Sequence, residues 1–224
     1  MLTAAPAKYA ASPSTPKNTP LSSRTATRNR PARNNTPVRL ISGPGVIKSR
    51  VTHSAYNEIT MPARPILLLG HPLLRERSEP VTDPASARLL LRDLRATLLE
   101  FRRTHGFGRG ISAVQIGETR RVIYLEVEGQ EYELVNPEYT WLSGDKFELW
   151  DDCFSFPELM VRLQRHRRLV LRYQRVTGEY RVLEAEGALA ELVQHEMDHL
   201  DGVLAVDHAR SSLDLAMRAV ILQR

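Results

Sequence analysis

Apolar residues recur at Leu90, Leu94, Leu98 and Phe101, a step that lays them along one face of a helix. Thr82-Asp83-Pro84 opens this stretch with a capping side chain and a first-turn proline, and Gly106 closes it. A helix is therefore predicted there, with Arg88, Arg92 and Arg95 on its solvated face. After it the period shortens. Arg121 to Val127, Tyr132 to Val135 and Arg168 to Tyr173 read as strands, the last alternating Leu169, Leu171 and Tyr173 against Val170 and Arg172. The helical step returns from about Gly187 to Leu200, with Ala188, Leu189, Leu192 and Val193 as apolar positions and Gly202 as a terminator. Helix, several strands, then helix predicts an α+β domain, not a βαβ series, and no internal repeat is visible.

No such period runs through residues 1–60. Seven of the fourteen prolines lie there among Ser, Thr, Asn and Arg, so a disordered extension is expected, with a compact domain over residues 61–224. Nine basic residues face one acid, Glu58, in that extension, so the overall charge of +5 hides a slightly acidic domain. Basicity confined to a tail gives no reason to expect DNA binding by the folded part. The composition also resembles an organelle transit peptide, which would place the domain in a mitochondrial or plastid matrix, although the prolines interrupt the usual amphipathic helix. Alternatively, Met61 is itself a sensible domain start. A single cysteine, Cys153, excludes an internal disulfide and fits a reducing, cytoplasmic setting. The run Ile66 to Leu69 is far shorter than the roughly 20 residues needed to cross a bilayer, so no membrane association is expected.

Candidate chemistry is densest at Gln194-His195-Glu196-Met197-Asp198-His199. Histidines at i and i+4 on a helix share a face and can meet one divalent ion, while Glu196 next door can reach water on that ion. A surface helix carrying the same letters by chance is the plain alternative. A catalytic ion usually takes three protein ligands, and Cys153 leads for the third. It follows a strand-like run and sits in the polar turn Trp150-Asp151-Asp152-Cys153-Phe154-Ser155-Phe156-Pro157, although a lone cysteine is also often a small core hydrophobe. A third segment, Gly108-Arg109-Gly110-Ile111-Ser112-Ala113-Val114-Gln115, offers glycines at Gly108 and Gly110 that let backbone approach a ligand. Gln115 can there donate its amide to a developing oxyanion.

Together the three segments resemble the peptide deformylases, whose motifs run Gly-x-Gly-x-Ala-Ala-x-Gln, Glu-Gly-Cys-Leu-Ser and Gln-His-Glu-x-Asp-His in this order. The resemblance covers about residues 62–224 and includes Val135-Asn136-Pro137-Glu138 and Leu200-Asp201-Gly202. It implies a deformylase-like α+β fold, with small mixed or antiparallel sheets around a central metal-binding helix. It implies one divalent ion, typically Fe(II), on Cys153, His195 and His199, with Zn(II), Ni(II) or Co(II) as alternatives. The implied substrates are N-formylmethionyl peptides, chiefly nascent chains leaving a ribosome, and the products are formate and a free amino terminus. Glu196 would then move the protons, and Gln115 with the Phe154 backbone N–H would hold the oxyanion.

Ser112 stands where alanine is usual, a small change that should fit, and three further departures matter more. Asp152 stands for the glycine before cysteine and Phe154 for the leucine after it, so extra negative charge and a narrower entrance are expected. The arginine that many members place seven residues past the cysteine is Met160, with Arg162 or Arg165 as substitutes for contacting peptide. These changes keep open a homologue that binds peptide amino termini or a ribosomal surface without turnover. A His-Glu-x-x-His endopeptidase would want a downstream third ligand, and His208 lies at the wrong spacing for it. Asp198 either orients a ligand histidine or caps solvent-facing charge, and His53, His71, His105, His166 and His208 are read as solvated or capping.

Overall fold

The computed structural model describes residues 62–223, so the expectation for residues 1–60 lies outside the described part. Asp83 accepts a hydrogen bond from Ala85 N and starts a 3₁₀ turn at Pro84–Ala87, which feeds α1, Arg88–His105. Gly106, with φ +79°, ends α1 by donating to Arg102 O. The chain then runs through β1 (Gly110–Ser112), β2 (Val122–Val127), β3 (Gln130–Leu142), β4 (Lys146–Asp152), β5 (Leu159–His166), β6 (Arg168–Gln174) and β7 (Tyr180–Glu186). It enters α2, Ala188–Leu200, and closes with β8 (Leu215–Met217) and the one-turn helix α3 (Arg218–Ile221).

All strand pairing within the two sheets is antiparallel: a five-stranded sheet ordered β1-β2-β3-β6-β7 and a three-stranded sheet ordered β4-β5-β8. Strand β2 shows why its sequence is almost wholly apolar. Val122 and Tyr124 point into a cluster with Leu90, Leu94, Leu98 and Phe101 of α1, while Ile123 and Leu125 join Ala190, Val193, Met197 and Leu200 of α2. With both faces covered, both sets of alternating side chains must be apolar. Helix α2 is thus central: every residue from Ala190 to Met197 is buried. A third cluster of Cys153, Phe156, Val161, Leu163 and Ala205 fixes the three-stranded sheet beside it. Among the described residues no helix is long and apolar enough to cross a membrane.

Candidate metal centre

Helix α2 carries His195 and His199 one turn apart on a buried face, with ring centroids 4.9 Å apart and inclined at 70°. Strand β4 ends at Asp152, and the turn that follows drops Cys153 against them, with Sγ 3.2 Å from His199 Nε2. One ligand atom from each of Cys153, His195 and His199 lies within 4.8 Å of the others, and all three residues are buried. Sulfur and nitrogen donors of a tetrahedral site sit about 3.5 Å apart. The cluster therefore fits a divalent ion with little rearrangement, and one thiol with two imidazoles suits iron, zinc or nickel, not magnesium.

The surroundings fix each donor. Ser155 N, at 3.4 Å, and Gln115 Nε2, at 3.6 Å, donate to the Cys153 sulfur. His195 Nδ1 lies 2.9 Å from Asp151 Oδ1, close enough for the carboxylate to orient the ring although off the line of an ideal ring N–H hydrogen bond. Asp151 Oδ2 accepts from Arg165, 2.9 Å away and itself 3% exposed, and Arg165 reaches on to Asp198. Burial works to raise the Asp151 pKa, but His195 and Arg165 outweigh it and hold the carboxyl well below the usual range. For His195, burial disfavours the charged form, yet Asp151 and Cys153 prevail and raise its pKa. Burial and the neighbouring His195 depress His199, leaving it a neutral imidazole with a lone pair to offer.

Glu196 is fully buried beside this group and accepts a 2.5 Å hydrogen bond from Ser112 Oγ. Burial pushes its pKa up to about 7, against the opposing pull of His195 and Ser112. Cys153, His195 and Glu196 form the base of a cleft of about 550 Å³, which Gln115, Gly108 and Gly110 also line. The Gln115 side chain is held by Ser112 N, which donates to its Oε1 at 2.9 Å and leaves the Nε2 amide turned toward the sulfur. The Phe154 N–H has no protein partner among the described residues. Phe154 lines the cleft, and its ring is stacked on Phe101 at 3.8 Å, with His105 on Phe101 at 4.0 Å. A Cβ at Gly108 would come within 2.4 Å of the Phe154 ring, at a φ of +125° that disfavours side chains.

The structure does not bring Arg162 to the site. It pairs with Asp214 at 2.8 Å and lies over Trp150, outside the cleft lining, because β5 turns it to the far side of its sheet. Arg165 is locked beneath the histidines, and Met160 is buried opposite Asp152, whose carboxylate is bound by Arg218 at 2.7 Å. The Asp198 carboxylate makes no hydrogen bond to either ligand histidine. It binds Arg165 and His208, so orientation of His195 falls to Asp151, which the sequence reading had not singled out. The signal was only proximity: Asp151 lies at the end of β4, two residues before Cys153. Glu191 and Arg109, joined at 2.7 Å in the cleft wall, were also missed. An added Cβ at Gly110 would lie 2.8 Å from Glu196 Oε1. We expect Gly110→Ala to lower kcat/KM at least tenfold with metal content retained; unchanged turnover at full metal content would contradict this contact.

Two antiparallel sheets packed on a buried helix that presents His-Glu-x-x-His to a thiol define a metal-dependent hydrolase class. The comparisons with known proteins are specific. The family model for polypeptide deformylase matches residues 63–214. The peptide deformylase of Acidothermus cellulolyticus is 41% identical over 162 residues, covering 71% of this chain and 87% of that protein. The peptide deformylase of Bartonella tribocorum is 36% identical over 166 residues, covering 70% and 91%. The crystal structure of peptide deformylase from Thermotoga maritima superposes with a TM-score of 0.62 at 32% identity, covering 67% of this chain and 100% of that one. That of the Synechococcus elongatus enzyme in complex with actinonin gives 0.64 at 29%, covering 69% and 82%. The chain belongs to the polypeptide deformylase family, metal-dependent enzymes that hydrolyse the N-formyl amide of nascent peptides.

Proposed function

We propose that Cys153, His195 and His199 hold one Fe(II) ion and that Glu196 carries the proton as the formyl group of an N-formylmethionyl peptide is hydrolysed. The meeting of those three donors, two of which, Cys153 and His195, line a cleft together with Glu196, carries this reading. When bound, the ion supplies Lewis acidity, polarising the amide and acidifying water. Glu196, held by Ser112, would take a proton from the attacking water and return it to the amide nitrogen as the C–N bond breaks. The hydroxyl remains on the formyl carbon, which leaves as formic acid and ionises to formate, its proton taken up by the new amino terminus. Gln115 Nε2 and the Phe154 N–H donate to the formyl oxygen as it gains charge. Asp151, backed by Arg165, keeps His195 in place, so the donor geometry does not depend on substrate.

The natural substrate is a nascent chain near the ribosome, and the expected compartment is the cytoplasm. Protein purified anaerobically with iron is expected to release formate from a formylmethionyl peptide. Chelation should abolish release and added Fe(II) should restore it. Stoichiometric metal with no formate released would overturn the catalytic reading.

A further inference from the structure

Glu191, His195 and His199 stand one turn apart in succession and share one face of α2. Glu191 is 5% exposed, yet it lines the cleft that holds His195 and Glu196. Its Oε2 accepts a 2.7 Å hydrogen bond from Arg109, whose guanidinium also donates to Ala188 O at 3.3 Å. Glu191 Oε1 has no hydrogen-bond partner among the described residues. Arg109 stands between Gly108 and Gly110 with 41% of its side chain exposed, so the pair runs from the cleft mouth to the helix.

The distances match a substrate side chain. In a formyl peptide the formyl carbon lies about 2.5 Å from the first Cα, so the first side chain starts beside the reacting bond. Four residues of helix, about 6 Å, separate His195 from Glu191 along the axis, which is about the reach of a side chain of four heavy atoms. Phe107, Val127 and Leu192 supply apolar walls to the same cleft, and the ion pair breaks them. An apolar side chain laid against that pair removes water from charged groups and replaces none of its hydrogen bonds. A carboxamide replaces both, its oxygen accepting from Arg109 and its nitrogen donating to Glu191 Oε1.

We propose that the Arg109–Glu191 pair reads the first side chain of the formyl peptide by hydrogen bonding, so that a formyl-glutaminyl terminus is accepted alongside a formyl-methionyl one. The proposal rests on the deformylase reading of the cleft, and it assigns Arg109 and Glu191 as specificity-determining residues. Hydrogen bonds to the carboxamide offset its desolvation, so the pair narrows the preference for an apolar side chain that a wholly apolar slot would show.

The test compares kcat/KM for formyl-Gln-Ala-Ser and formyl-norleucyl-Ala-Ser, whose first side chains have similar length and differ in the amide, with formyl-Met-Ala-Ser as control. Wild-type enzyme is expected to prefer the norleucyl peptide by less than tenfold; a larger preference overturns the proposal without any variant. In the double variant Arg109→Leu/Glu191→Leu, the norleucyl-to-glutaminyl ratio should rise at least tenfold over wild type, and a smaller rise also overturns it. The ratio is taken within one preparation, so a partly folded variant does not alter it. If iron-loaded wild type releases formate from none of the three peptides, the deformylase reading fails instead.

Discussion

Glu196→Gln protein is expected to keep its metal and its fold while kcat/KM for formyl-peptide hydrolysis falls roughly 10²- to 10⁴-fold, the usual worth of a positioned proton carrier. Glutamine has the same length and adds no charge, and the residue is already fully buried, so desolvation does not count against the variant. Ser112 Oγ can donate to an amide oxygen as it does to the carboxylate, so α2 stays seated. The cluster of Cys153, His195 and His199 is untouched and should bind its ion as before. What the amide cannot do is take a proton from water and hand it to the leaving nitrogen. Formate release and metal content measured on one preparation check this, and a rate within threefold of wild type would assign the transfer to another group.

Periodicity made the two long helices and the strands around Val122, Leu134 and Leu169 legible, because each carries its apolar residues at the spacing its geometry demands. The three-stranded sheet was hidden. Strand β5 reads Leu-Met-Val-Arg-Leu-Gln-Arg-His, and its inward set includes Arg165, a residue type that reads as surface. Arg165 is buried because Asp151 and Asp198 meet it there, partners brought from another strand and from α2, which local pattern cannot supply. The same blindness affected the site. His195, Glu196 and His199 are neighbours on one helix and could be paired by spacing, whereas Asp151 and Arg109 reach His195 and Glu191 only through the fold. Arg162 was chosen by sequence proximity to Met160, but alternation along β5 sends it to Asp214 instead.

Removing the thiol is the second large effect: Cys153→Ala should lose most bound metal, with occupancy below about a tenth of wild type under equal loading, and with it formate release. Two imidazoles on one helix remain, and alanine offers no donor in place of the sulfur 3.2 Å from His199. Folding should survive. Cys153 lies in a core cluster with Phe156, Val161 and Leu163, and deleting one sulfur atom there costs on the order of 1 kcal/mol, small against the stability of a domain this size. The variant should melt only about 2–4 °C below metal-stripped wild type, the worth of that packing loss, because any stability that wild type draws from its ion is lost in both. Metal analysis separates the two roles open to this side chain. A protein that folds, holds full metal and turns over would make Cys153 a packing residue and leave His195 and His199 in need of a different third donor, whereas folded protein without metal ties the thiolate to the ion.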